Sequence, residues 1–286
     1  MSRSVRFELE LYGEGYERRF RKMRPEVEAL PWGSLDPRQY DAAAVLSARK
    51  AWTTAAFQEF RTGATIAEAL RLMMEARAPL DLLALATRFP LDEVVHVELC
   101  ARMATQLGGG TEIIFDEGTL AATPARDQPI LVQATELATQ LFCVGEALSI
   151  PLLRGTWHAA RHPLAKAVLS RIVRDEAAHG SFGFAFLDWA LPELSADQHA
   201  QIARAADRAI DAIRVNWVEL RARPPADSEA HPLAWMQSDA YLALAERSLI
   251  SQVIEPLRAR GLPLAPRRDD GGRITTTPED AAQARG

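Results

Sequence analysis

Apolar residues recur every three or four positions along most of the chain, the spacing that one buried face of a helix requires. Helices are therefore expected between Pro- and Gly-containing breaks. The first should begin at Asp36-Pro37, with Asp as the N-cap and Pro at the first helical position. Pro90 should kink or restart the second helix. The predicted helices cover residues 39–77, 81–107, 129–160, 163–190, 195–222 and 232–260.

The first four of these helices, in residues 37–192, are expected to form an all-α four-helix bundle. The segment 110–127 is the long connection that such a bundle needs when its second and third helices run parallel. The last two helices, in residues 193–262, carry apolar residues at helical spacing. They either pack on the bundle as accessory helices or form the surface of a homodimer.

The two ends of the chain have less regular patterns. Residues 1–36 form an N-terminal extension in which Phe7, Leu9 and Leu11 alternate with glutamates, as in a short strand. A basic cluster at 18–24 is interpreted as a solvated helix face, with a docking patch for an acidic reductase as the alternative. Residues 263–286, rich in Arg, Asp, Gly, Thr and Pro, are expected to be a disordered tail.

Composition limits the classes of partner and compartment. The net charge of −5 and pI of about 5.8 give no reason to expect nucleic acid as a partner. Cys100 and Cys143 cannot build a disulfide framework, which favours a reducing compartment. The N-terminus lacks the apolar core of a signal peptide, and no continuous apolar run is long enough for a membrane span. We expect a cytoplasmic protein without a membrane partner.

The strongest chemical signal is a motif that occurs twice. Asp92-Glu93-x-x-His96 and Asp175-Glu176-x-x-His179 lie in two predicted helices. Glu at one position and His three residues later project from the same helix face, so that both can bind one metal ion. One Glu-x-x-His is common in helical proteins, but two copies with matching surroundings are a specific signal.

Each copy is also preceded by a solitary glutamate within an earlier predicted helix, Glu59 for the first and Glu146 for the second. Glu68 is a rival to Glu59, but it lies two and a half turns further along the same helix. Pro151 frees a backbone carbonyl beside Glu146, which predicts a local distortion near the proposed metal. The predicted metal ligands are Glu59, Glu93, His96, Glu146, Glu176 and His179.

Four carboxylates and two imidazoles are the ligand set of a di-iron site in a four-helix bundle. Carboxylates can bridge two ions, so Glu93 and Glu176 are assigned as bridging ligands. His96 and His179 then bind one iron each, with Glu59 as a terminal ligand of one ion. Glu146 is the corresponding ligand of the other ion. Without metal, burial would drive these carboxylates to take up protons.

The aspartate in each copy of the motif is predicted to orient one of the metal-binding histidines. A histidine that binds metal usually donates its other ring N–H to a carboxylate, which fixes its tautomer. An Asp just before the bridging Glu lies off the ligand face and towards the neighbouring helix. We therefore expect Asp92 to hold His179 and Asp175 to hold His96.

The doubled Glu…Asp-Glu-x-x-His pattern resembles the ferritin-like di-iron carboxylate superfamily, over about residues 37–192. That superfamily includes rubrerythrins, bacterial multicomponent monooxygenases, acyl-carrier-protein desaturases, ribonucleotide reductase small subunits and arylamine N-oxygenases. The resemblance implies a ferritin-like four-helix bundle, two iron ions, and reaction with dioxygen or peroxide. The sequence leaves open whether manganese replaces one iron, and dioxygen is taken as the co-substrate.

Departures from the family patterns narrow the choice. Ile172 stands where arylamine N-oxygenases carry an additional histidine. No tyrosine lies one turn from a predicted ligand, which argues against a stored tyrosyl radical. Rubredoxin-type Cys pairs are absent, which excludes a rubrerythrin with its own electron-transfer iron.

The predicted function is a non-haem di-iron oxidoreductase that uses dioxygen to hydroxylate, N-oxygenate or desaturate a small organic substrate. Because the chain has no Gly-x-Gly-x-x-Gly nucleotide motif, electrons must come from a separate reductase or ferredoxin. Gly63, Cys100 and Cys143 are weak candidates for a substrate pocket, with close helix packing or a buried core position as the alternative. The alternative functions are a ferroxidase or iron-binding bundle without an organic substrate, and an interaction partner that kept its ligands.

Overall fold

The longest helix, α3 (Ala42–Glu75), begins at a well-defined cap. The Asp41 carboxylate accepts hydrogen bonds from the backbone N–H groups of Ala43 and Ala44, at 2.9 and 3.2 Å. The start predicted at Asp36 is therefore wrong for this helix. Asp36 instead caps a single 3₁₀ turn, Pro37–Gln39. The structure is a computed structural model, and it describes residues 3–222, 233 and 236–266.

Within those residues most of the chain is helical, and one short pair of strands is present. Before α3 come α1 (Glu14–Met23) and α2 (Pro25–Glu28). After it come α4 (Leu80–Ala86), α5 (Phe89–Gln106), α6 (Ile130–Ala138), α7 (Ala147–Ala159), α8 (Pro163–Ala190), α9 (Ala196–Ala222), α10 (Ser238–Ser248) and α11 (Glu255–Ala259).

Two prolines explain where the predicted helices break or change pitch. Pro90 restarts the second predicted helix, which is divided into α4 and α5 with Pro90 in the first turn of α5. The third predicted helix is continuous but contains a π-helical stretch, Thr139–Glu146, between α6 and α7. Pro151 follows in α7. The predicted distortion near Glu146 is thus a π-helix that ends at Glu146 itself.

The strand pair joins the N-terminal extension to the long connection. β1 (Ser4–Arg6) and β2 (Ile114–Asp116) are antiparallel, with Val5 opposite Phe115. The strand predicted around residues 7–11 is therefore displaced towards the N-terminus. Phe7 continues from β1 and packs against Phe57 of α3, with ring centroids 5.1 Å apart.

Four helical stretches pack together at the centre of the molecule: α3, α5, the continuous α6–α7 stretch, and α8. Three apolar core clusters fill the space between them and their neighbours. The accessory helix α9 contacts α6 and the π-helix, and α10 contacts α7. Both C-terminal helices therefore pack on the central helices. Residues 232 and 234–235 of the last predicted helix, and residues 267–286 of the predicted tail, lie outside the described residues.

Among the described residues, only the stretch Ile130–Ala159 is long and apolar enough to cross a membrane by length and composition. Core helices of helical proteins can have the same length and apolar composition. About 61% of its most apolar window is buried inside the structure, and it carries the buried Glu136 and Glu146. These features are those of a core helix.

Candidate metal centre

The four central helical stretches bring the six predicted ligand residues together in the interior. Glu59 comes from α3, Glu93 and His96 from α5, Glu146 from the end of the π-helix, and the remaining two from α8. These residues are called the centre below: Glu59, Glu93, His96, Glu146, Glu176 and His179. All are buried except Glu59, whose side chain is 16% exposed.

The donor atoms of the centre form two overlapping groups. Glu59 and His96 belong to the first group, and Glu146 and His179 belong to the second. Glu93 and Glu176 belong to both groups. In each group the donor atoms lie within 4.8 Å of one another, close enough to surround one ion. The two histidine rings are 6.4 Å apart between centroids, with the shared carboxylates between the groups.

Both histidines direct the same ring nitrogen into the centre. Nδ1 of His96 lies 3.1 Å from Oε1 of Glu176 and 3.7 Å from Oε2 of Glu59. Nδ1 of His179 lies 3.1 Å from Oε2 of Glu176 and 3.3 Å from Oε1 of Glu93. The buried lone-pair atoms thus converge on a common space.

Several of these buried atoms have no hydrogen-bond partner among the described residues. They are the Nδ1 atoms of both histidines, both carboxylate oxygens of Glu93, and Oε2 of Glu176. Buried polar atoms are rarely left unpaired, and a cluster of them calls for an ion or water. Carboxylate and imidazole donors in this arrangement fit two transition-metal ions such as iron.

Charges in the centre change the proton affinities of its groups. Burial raises the pKa of Glu93 well above its usual value, and the negative charge of Glu59 adds to the effect. Burial likewise raises the pKa of Glu146 well above its usual value, with a further contribution from Glu176. Burial opposes ionisation of Glu176 too, but the adjacent imidazoles of His179 and His96 outweigh it and lower the pKa of Glu176.

The histidines have the opposite shift. Burial alone would lower the pKa of His179, but the adjacent carboxylates of Asp92, Glu176 and Glu93 raise it to about 12. The pKa of His96 is also raised well above its usual value, because its carboxylate partners outweigh burial. The metal-free centre therefore holds protons at neutral pH, and two divalent cations could replace them.

The aspartates lie on the outer side of the histidines, in the crossed pairing that the sequence suggests. Nε2 of His96 lies 3.2 Å from Oδ2 of Asp175, within hydrogen-bond distance. Nε2 of His179 lies 3.6 Å from Oδ2 of Asp92. Each aspartate thus contacts the histidine of the other motif, across the interface between α5 and α8.

Two arginines that sequence reasoning missed extend these contacts. Arg88 lies one turn before Asp92, with its Nε 3.2 Å from Oδ2. Arg171 lies one turn before Asp175 and forms an ion pair with it, while also contacting Glu26 at 3.0 Å. The signal was present, because both motifs read Arg-x-x-x-Asp-Glu-x-x-His.

The two Arg–Asp–His chains differ in their exposure to solvent. The Arg171 side chain is only 10% exposed, and Glu26 of α2 fixes it from outside. The Arg88 side chain is 63% exposed. Water screens an exposed ion pair strongly, so the Arg171–Asp175 pair interacts more strongly than the Arg88–Asp92 pair.

Small residues near the centre serve close packing. A Cβ atom on Gly63 would lie 3.1 Å from Cβ of Glu93, so this glycine lets α3 approach α5. Cys100 and Cys143 are fully buried in two different core clusters. Two cavities are lined by described residues, one beside α5 and one beside α8, and their linings do not include Gly63, Cys100 or Cys143. The rival carboxylate Glu68 faces outwards and pairs with Arg71 at 2.8 Å.

Aromatic side chains close the His179 side of the centre. The Phe89 ring lies 4.2 Å from the His179 ring between centroids, and it also contacts Phe142 and Phe182. These rings keep water from the imidazole and strengthen the electrostatic interactions inside.

No model of a known protein family matches this sequence, and no curated protein matches it either. The function therefore has to be inferred from the residues of the centre and their surroundings.

Proposed function

We propose that this protein is a non-haem di-iron oxidoreductase, built on a ferritin-like four-helix bundle, that uses dioxygen to oxidise a small organic substrate. The observation that carries this function is the sharing of Glu93 and Glu176 between two donor groups. A shared pair of carboxylates with one imidazole on either side is the arrangement of bridged di-metal sites. Two ferrous ions held there would supply the electrons and the binding site for the reduction of dioxygen.

The protein residues have three roles in this proposal. Glu93 and Glu176 would bridge the two ions and offset their charge. Asp92 and Asp175 would keep the histidine Nε2 atoms protonated, so that the Nδ1 lone pairs face the ions. Glu59 is the most exposed member of the centre, so dioxygen and solvent would enter on its side.

The electron source is proposed to be an external ferredoxin or reductase, as the sequence lacks a nucleotide-binding motif. Manganese in one position is compatible with the same donors, because carboxylate and imidazole ligands suit both metals.

An anaerobic Fe(II) titration of metal-free protein, followed by mixing with oxygenated buffer, tests the proposal. We expect two Fe(II) ions per chain and a transient band in the near-ultraviolet and visible absorbance. Rapid formation of a stable ferric product without a transient band would instead indicate a ferroxidase. The Glu93→Gln/Glu176→Gln variant should lose binding, whereas Glu68→Gln, a control on the outer face of α3, should keep it. Equal binding by both variants would exclude the di-iron function.

A further inference from the structure

A cavity of about 430 Å³ lies on the side of the bundle between α7, α8 and the C-terminal helical stretch that ends in α11. Small-molecule sites usually have volumes of roughly 300–1,000 Å³. One wall is apolar, with Ile150, Phe184 and Pro256, and Arg154 and Ser181 supply polar groups. The cavity therefore has the size and the mixed lining of a site for a small organic molecule.

The cavity lies next to the centre, because both are built on α8 and on the continuous stretch of the π-helix and α7. Its lining includes Ala147, Ala177 and Gly180. These residues directly follow Glu146, Glu176 and His179 in the sequence. The cavity and the centre thus occupy neighbouring faces of the same two helices.

Ile150 lies at the boundary between the two. It lines the cavity, and its Cδ1 atom fills the notch that the missing side chain of Gly180 leaves. Gly180 is the residue next to His179. A change in the side-chain rotamer of Ile150 would therefore extend the cavity towards Gly180, beside His179.

The charges around the cavity favour an anion. Among the described residues that line it, none is acidic and two are arginines. Arg260 is neutralised by Asp188, with hydrogen bonds of 2.7 and 3.0 Å, and it stacks over the Phe184 ring. Arg154 is exposed and has no ion pair with any other described residue. Its guanidinium is therefore available to a ligand, and guanidinium groups bind carboxylates well.

We propose that this cavity binds a small carboxylic acid, with its carboxylate on Arg154 and its apolar body against Ile150, Phe184 and Pro256. The acid is the substrate whose apolar part is oxidised at the centre, and this role rests on the function proposed above.

Isothermal titration calorimetry of metal-free protein with benzoate tests the cavity in the absence of the metals. We expect saturable binding of one benzoate per chain, about tenfold weaker in Arg154→Gln because a charge-assisted hydrogen bond is lost. Arg204→Gln, which removes an exposed arginine of α9, should bind as the unmodified protein does. Absent binding, equal binding by the two variants, or equally tight binding of neutral benzamide would overturn the proposal.

Mn²⁺ in the centre then tests the connection between the two sites. Paramagnetic relaxation falls steeply with distance, so bound benzoate should show enhanced proton relaxation in Mn²⁺-loaded protein, and the enhancement should increase in Ile150→Ala. If benzoate binds to the Mn²⁺-loaded protein without enhanced proton relaxation, the acid in the cavity is not the substrate of the centre. Failure of Mn²⁺ to bind would refute the metal centre, while the benzoate titration would still decide whether the cavity is an acid-binding site.

Discussion

The Asp175→Asn substitution is predicted to weaken metal binding at the His96 side of the centre. Asn keeps the size of Asp and an oxygen that can accept the Nε2 proton, but it removes the negative charge. Asp175 is buried, lies 3.2 Å from His96 and is paired with Arg171, whose side chain is mostly buried. The lost charge is therefore not replaced by solvent.

The expected loss of metal affinity follows from the role of a carboxylate that holds a metal-binding histidine. Loss of a carboxylate behind a metal-binding histidine costs about 10- to 100-fold in metal affinity. That range corresponds to about 1.4–2.7 kcal/mol. Asp92→Asn should cost less, because Asp92 is 3.6 Å from His179 and its arginine partner is largely exposed. The two aspartates are thus expected to be unequal in spite of the repeated motif.

Mn²⁺ titration followed by electron paramagnetic resonance measures free and bound ions directly and gives the number of sites and their dissociation constants. Asp175→Asn should retain one site of nearly unchanged affinity and weaken the other at least tenfold. Asp127→Asn, an exposed loop position, provides the control. Unchanged affinities in Asp175→Asn, or a larger loss in Asp92→Asn, would refute the reasoning.

Three further predictions concern stability, pH and packing. Chelation of the metals should lower the Tm of the protein by roughly 5–10 °C, because a ligand at about 100 times its Kd stabilises the folded state by about 2.7 kcal/mol. An unchanged melting curve would contradict a metal-filled centre. Mn²⁺ affinity should rise between pH 6 and pH 8, because the ions displace protons that Glu93 and His179 keep bound through their raised pKa values. Mn²⁺ titrations at fixed ionic strength measure this dependence, and an affinity that does not change with pH would contradict the prediction. Gly183→Ala should lower the free energy of unfolding by about 1–3 kcal/mol, because its Cβ would lie 2.5 Å from Cβ of Phe142; Gly15→Ala, where the added atom meets nothing within 4 Å, should not destabilise in the same urea titration.

Local patterns predicted much of the fold. Helical spacing and Pro positions are local, so the extents of α8 and α9 agree with the prediction to within one residue. The start of α3 was missed because two aspartates, Asp36 and Asp41, compete as caps, and only the second accepts two backbone N–H groups of the long helix. The β1–β2 pairing was missed because its register depends on residues more than a hundred positions apart.

The candidate centre was predictable for a similar reason. Each Glu-x-x-His is one helical turn, so the repeat indicates the donor positions before any tertiary contact is known. Arg88 and Arg171 were equally visible, one turn before each Asp. Their importance depends on burial, however, and the contact of Arg171 with Glu26 of α2 arises only in the folded chain. The acid-binding cavity could not be predicted, because Arg154 and Phe184 meet the end of α11 only in the folded chain.

The π-helix before α7 has a consequence for how such a protein could diversify. A π-helical stretch accommodates an additional residue locally, so a one-residue change there can alter the direction of its own side chains while the flanking α6 and α7 keep their packing. Deleting one residue from Thr139–Glu146 would favour ordinary α-helical geometry and carry Glu146 away from its partners. A descendant could thus lose one metal position in a single step while keeping its apolar core, and could regain it by a single insertion.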